Sequence, residues 1–109
     1  MFSIGCDIEE IDRFEERETA FFDKIFTRAE VEYCRAQAHP AQHFAARFCA
    51  KEAVVKALAG LGVSGVHYRD IEVVKKNGVP AVELEGFTIS ISLSHAGNMA
   101  MAAAAISKS

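Results

Sequence analysis

Hydrophobic and polar positions along the chain change period several times. Phe2, Ile4 and Cys6 alternate with Ser3, Gly5 and Asp7, the period of a strand, and Ile8, Ile11 and Phe14 then follow at helical spacing. The change falls at Asp7. With Glu10 three residues on, Asp7 forms a capping box, and a strand end running into a helix also suits a side chain that faces a site while its neighbours stay packed. Thr19 is placed to cap AFFDKIF, and Thr27 with Glu30 makes a capping box for a helix over 28–38 that His39-Pro40 ends. His39 and His43 read as surface residues of that connection, without a chemical role. Residues 44–58, FAARFCAKEAVVKAL, contain no Gly or Pro and are rich in Ala, so they predict a long helix. Phe44, Phe48 and Val55 share one stripe of it, and Ala45, Cys49, Ala53 and Ala57 leave little of the remaining circumference for water.

After this helix, Gly60, Gly62 and Gly65 suit a C-cap and a loop, but lack the GxGxxG or P-loop spacing of a nucleotide cradle. The period then becomes two. Strands are expected over 71–75 and 79–84, and the Asn77-Gly78 pair between them signals a hairpin. Phe87, Ile89, Ile91 and Leu93 alternate with Thr88, Ser90, Ser92 and Ser94, the turn His95-Ala96-Gly97-Asn98 follows, and 99–106 reads as a last strand, favoured by that turn over the helix its alanines would also suit. An N-terminal strand, helices including a long central one, and a mainly antiparallel sheet make an α+β fold, expected as a single domain over 1–109.

Composition narrows the function. Half of the 109 residues are apolar, enough for a modest core, and no apolar run is long enough for a membrane span. The first residues do not resemble a secretory signal, so a cytoplasmic location is expected. Cys6, Cys34 and Cys49 match neither a redox pair nor a zinc site and read as reduced packing residues. Residues 1–40 carry five Lys or Arg against ten Asp or Glu, which argues against nucleic-acid binding.

Arg47, Lys51, Glu52 and Lys56 are set into a mostly apolar helix, with Glu52 and Lys56 in one i,i+4 row. The pair is either an ordinary surface contact worth about 0.2–0.5 kcal/mol or a carboxylate for a hard cation beside an ammonium for phosphate. The second reading requires another carboxylate from elsewhere in the chain.

Three stretches decide between these readings when taken together: IGCDIEEIDRF, RFCAKEAVVKAL and SLSHAGNMAMAAA, with DIEV and NGVP lying between the last two. In this order and spacing they resemble the holo-acyl-carrier-protein synthases, the short 4′-phosphopantetheinyl transferases, over nearly the whole chain. The resemblance implies that Asp7 and Glu52 hold Mg²⁺ together with the coenzyme A pyrophosphate, and that Lys56 neutralises phosphate. It implies coenzyme A contacts at His95 and at Asn77, Gly78 and Pro80, and contact between Arg13 and the acyl carrier protein. The implied reaction is attack by a carrier serine on the phosphorus bearing the pantetheine arm, with release of 3′,5′-ADP; Glu52 or a metal-bound water would take the serine proton. A homotrimer with sites between subunits is implied as well.

Three features differ from the family's pattern: the short 84–89 connection, Ala96 where a threonine usually follows the histidine, and the acidic first 40 residues. Arg13, Arg17, Lys24 and Arg28 can still form a local basic strip toward an acidic carrier, and the alternative is apolar docking through Phe14, Phe21 and Phe22. A non-catalytic trimeric module that binds coenzyme A or a carrier is the other reading of the same fold. A generic Mg²⁺ phosphohydrolase would leave Arg13 and the SLSH segment without a purpose.

Overall fold

A computed structural model describes residues 1–15 and 19–109. Five strands and three α-helices follow the order β1 (Phe2–Glu10), a 3-10 turn (Ile11–Phe14), α1 (Thr19–Ile25), α2 (Arg28–Arg35), α3 (Pro40–Gly60), a second 3-10 turn (Tyr68–Asp70), β2 (Val73–Lys76), β3 (Val79–Val82), β4 (Phe87–Ala96) and β5 (Met99–Lys108). An antiparallel sheet is ordered β1-β5-β4, and β2-β3 forms a separate hairpin. At the hairpin tip Asn77 and Gly78 both take positive φ, 53° and 78°, which is why this turn needs Asn-Gly. The 84–89 connection is a tight turn in which Phe87 N–H donates to the Leu84 carbonyl, so the hairpin runs straight into β4.

Asp7 is not a helix cap. β1 continues through it and pairs with β5 residue by residue as far as Glu10 opposite Met99, so Ile8 lies in the strand, opposite Met101. The period changes only at Ile11, whose N–H donates to the Asn98 carbonyl while Ile11 and Phe14 turn into the core. Two other boundaries differ from expectation. Pro40 does not end α2 but opens α3, where a proline lacks only an N–H that would be unpaired anyway, so His43 is a helix residue. Thr19 is the first residue of α1. Thr27 caps α2 with the expected box, its side chain accepting from Glu30 N–H while Glu30 reaches back to Thr27 N–H.

α3 lies on the inner face of the sheet, and small residues set the distance. Gly5 faces Ala53 and Ala57 so closely that a Cβ built on it would stand 2.0 Å from the Ala53 carbonyl oxygen and 2.9 Å from the Ala57 nitrogen. On β5, Ala100, Ala102 and Ala104 are buried beneath the same helix. Phe14, Phe22, Phe26 and Phe44 fill the other end of the core, with Phe22 and Phe44 ring centroids 4.3 Å apart. Of the three residues of the apolar docking alternative, Phe14 and Phe22 are core residues, which corrects their part in it, while Phe21 is partly buried.

Within this core sits a fully paired ion pair. Lys51 Nζ lies 2.8 Å from Glu30 Oε1 with both side chains fully buried, and it donates to the carbonyls of Tyr68 and Ile71 at 2.8 Å each. Glu30 Oε2 accepts from Val73 N–H at 2.8 Å. A buried charge is tolerable only with such complete pairing, and here the pairing fastens the segment between α3 and β2 to two helices. Among the described residues no helix is long and apolar enough to cross a membrane.

Candidate active site

Alternation along β1 turns Ser3, Gly5, Asp7 and Glu9 toward α3. Asp7 therefore comes from the sheet, and Glu52 and Lys56 come from consecutive turns of the helix above it. Lys56 Nζ donates to Asp7 Oδ1 at 3.2 Å and to the Cys6 carbonyl at 2.9 Å, and the Asp7 carboxylate raises the affinity of that ammonium for its proton. The other oxygen, Asp7 Oδ2, is buried without a hydrogen-bond partner. Glu52 accepts a hydrogen bond at Oε1 from the Tyr68 hydroxyl, which stays protonated because that bond pushes its pKa up to about 12.

Glu9 joins the group two residues beyond Asp7 on the same face. Burial first, then the neighbouring Asp7 carboxylate, and more weakly the charge of Glu52, push its carboxyl from 4.5 up to about 7, with Arg13 opposing. Arg13 Nη1 reaches Glu9 Oε1 at 3.7 Å, so the motif arginine stands at the rim of the carboxylates. A carboxyl held above its unfolded value binds more protons in the folded chain, so its contribution to stability is lost as pH rises from about 4.5 to about 7. Glu9→Gln should raise the thermal midpoint by a few degrees at about pH 8 and leave it unchanged at about pH 4. Equal shifts at both pH values would show that Glu9 is not the group that titrates.

The donor set suits a hard divalent cation. An orphaned, buried carboxylate oxygen next to a second carboxylate is what such an ion would satisfy, with substrate oxygens and water completing its shell. Among the described residues no three His, Cys, Asp or Glu side chains are grouped to enclose a metal by themselves. Asp7 and Glu52 are the residues that could hold one.

The other candidate residues lie across the sheet. His95 pairs with Ala100, which pairs with Glu9, so His95 stands one strand beyond β5 from the carboxylates. Its Nε2 is 3.2 Å from Gln42 Nε2, and it lines a cavity of about 180 Å³ with Pro80, His43, Arg47 and Lys75. Arg47 is 3% exposed, its guanidinium carbon lies 4.1 Å from the Tyr33 ring centroid, and its Nε is buried without a partner. Lys75 Nζ is 5.4 Å from the same ring, and burial with these cations lowers the His43 pKa. Two cations, Arg47 and Lys75, thus stand in the wall of the cavity. Asn77 and Gly78 remain exposed at the hairpin tip, with Pro80 alone of the three in the cavity wall.

Sequence reasoning named Arg47 only as part of a helix row and did not single out Glu9 or Tyr68. The period of two that puts Glu9 on the face of Asp7 could have found the first of these. Of the basic strip, Arg17 lies outside the described residues, Arg13 is engaged by Glu9, and Arg28 by Glu32 at 3.3 Å.

The 4′-phosphopantetheinyl transferase superfamily model matches residues 3–105. A holo-[acyl-carrier-protein] synthase of Geobacter metallireducens is 44% identical over 94% of each chain, and that of Geotalea daltonii is 40% identical over 99% of each. Among solved structures, a holo-(acyl-carrier-protein) synthase from Bacillus anthracis in complex with CoA (3′,5′-ADP) superposes with a TM-score of 0.83 at 31% identity, over 98% of this chain and 96% of that one. The acyl carrier protein synthase of Mycobacterium tuberculosis gives 0.76 at 35%, over 98% and 97%. With its fold, its motif residues and its relatives in agreement, the chain belongs to the 4′-phosphopantetheinyl transferase superfamily, among the holo-acyl-carrier-protein synthases.

Proposed function

We propose that the carboxylate group at Asp7 and Glu52 and the cationic cavity at Arg47, Lys75 and His95 together transfer 4′-phosphopantetheine from coenzyme A to a serine of an apo acyl carrier protein. The observation that carries this is the pairing of Asp7 and Lys56 across the β1–α3 contact with Asp7 Oδ2 left unsatisfied. It is an arrangement for a cation and a phosphate side by side, which an ordinary surface ion pair does not need. Asp7 and Glu52 would hold Mg²⁺, which when bound neutralises charge on the pyrophosphate. Lys56, more than half exposed, can leave Asp7 for a phosphate oxygen without being dragged from a buried position. The buried Arg47 guanidinium and Lys75 are the groups for a second phosphate of coenzyme A, beside Pro80 and the Asn77-Gly78 tip. Phosphoryl transfer depends mainly on such positioning and charge stabilisation. Arg13 at the rim would meet the carrier, and the working location is the cytoplasm. Incubation with coenzyme A, Mg²⁺ and an apo carrier should release 3′,5′-ADP only when the carrier is present; release that ignores the carrier would point to hydrolysis.

The outer face of the sheet supports a homotrimer. Phe2 and Ile4 on β1 are 71% and 72% exposed, and Ile8 and Met101 stand beside them. A depression of about 640 Å³, lined by Ile4, Cys6, Ser90, Ser92 and Ala103, runs to Lys56. An exposed apolar sheet face of this kind is where a second copy would pack, and Lys56 at its border would bring such an interface to the carboxylates. Ile4→Glu should convert a trimer to monomers in light scattering and lower transfer at least about tenfold, since burying a charge in such an interface costs several kcal/mol. A trimer that survives the substitution would place the interface elsewhere.

A further inference from the structure

Lys51 and Glu52 are neighbours on α3, yet they engage the same residue from opposite sides. Lys51 Nζ holds the backbone carbonyl of Tyr68 at 2.8 Å, and the hydroxyl of Tyr68 donates to Glu52 Oε1. The ring between these two points leans on Phe48, one helical turn before Glu52, with centroids 5.8 Å apart. The turn that carries Tyr68 is fixed further on as well, through Ile71 carbonyl to Lys51 and Val73 N–H to Glu30. The hydroxyl is thereby held at three points: its backbone by a buried ammonium, its ring by an aromatic neighbour, its oxygen by the carboxylate.

We propose that Tyr68 is a positioning residue for Glu52, fixing Oε1 so that Oε2 alone is presented to the divalent cation and the phosphates. The inference rests on the assignment of Glu52 as a ligand in the preceding section. A carboxylate on a half-exposed helix position samples several rotamers, and a ligand that must be ordered on binding loses affinity for that reason. Removal of a group that orients a ligating side chain characteristically weakens metal binding about 10–100-fold.

Tyr68→Phe is the direct test, because it keeps the ring on Phe48 and the backbone bond to Lys51 and removes only the hydroxyl. The thermal midpoint should stay close to the parent's. Half-saturating Mg²⁺ for transfer should rise about tenfold, with turnover at saturating Mg²⁺ and the KM for the carrier little changed. Mn²⁺ binding, read by electron paramagnetic resonance of the protein with 3′,5′-ADP, should weaken by the same factor. A Tyr68→Phe protein with parental Mn²⁺ affinity and parental half-saturation, while Glu52→Gln loses both, would overturn the role of Tyr68 and leave Glu52 as a ligand. Parental Mn²⁺ affinity in Glu52→Gln would overturn the ligand assignment and the inference built on it.

Discussion

Gly5→Ala is expected to destabilise the fold by at least about 3 kcal/mol, the upper end of ordinary overpacking, although it adds a single methyl group. The methyl would lie 2.0 Å from the carbonyl oxygen of Ala53 and 2.9 Å from the nitrogen of Ala57. Both are backbone atoms of α3, so no rotamer change relieves the clash and the helix itself must move. Gly5 is required for close approach and not for an unusual φ. Movement of α3 carries Glu52 and Lys56 away from Asp7, and a displacement of about 1 Å in a positioned group can cost about 100-fold in rate. Urea denaturation and transfer kinetics should therefore fall together. Gly60→Ala is the control. Its methyl would meet the Ser3 hydroxyl oxygen at 2.2 Å, a side-chain atom that can rotate away, so its cost should be the smaller of the two. Equal, small losses at both positions would mean that the β1–α3 contact is not set by Gly5.

Asp7→Asn and Glu52→Gln should each lower turnover by about 1,000-fold or more, the scale of removing a principal charge-stabilising group, while the fold is kept. Asp7→Asn removes the ion pair with Lys56 together with the repulsion on Glu9, so the fold should keep a thermal midpoint close to the parent's without metal. Added Mg²⁺ and coenzyme A should raise the parent's thermal midpoint through binding to the folded state, and should raise that of either variant much less. A variant with parental turnover in Mg²⁺ would remove its residue from the site.

Local signals read well where the chain determines its own conformation. The Thr27–Glu30 box, the Asn77-Gly78 turn, the alternation of β4 and the apolar, Ala-rich α3 each follow from a few adjacent residues, and all are present. Asp7 and Glu10 carry the signature of a cap, with Ile8 and Ile11 mimicking a helical stripe, and of the two local readings the structure keeps the strand. What keeps Asp7 in a strand is its pairing with Ala102, ninety-five positions along the chain. The polarity of β1 is inverted for a related reason. Its large apolar residues face outward, and Gly5 and Asp7 face the helix, so the usual rule that apolar faces point inward gives the wrong side of the sheet. Motif resemblance is the signal in the sequence for Asp7, Glu52 and Lys56, and the structure brings Asp7 and Lys56 within hydrogen-bond distance. Tyr68 and the Lys51–Glu30 pair have no such signal, since each depends on a contact across 16 to 21 residues that no short pattern encodes.

Intact-mass measurement of an apo acyl carrier protein, incubated with this protein, coenzyme A and Mg²⁺, tests the central claim most directly. The account predicts that the carrier gains one 4′-phosphopantetheine on its serine, that 3′,5′-ADP appears in equal amount, and that Glu52→Gln abolishes both. A carrier whose mass stays unchanged while the protein binds coenzyme A in the presence of Mg²⁺ would contradict it and identify a binding module with the fold of the transferase.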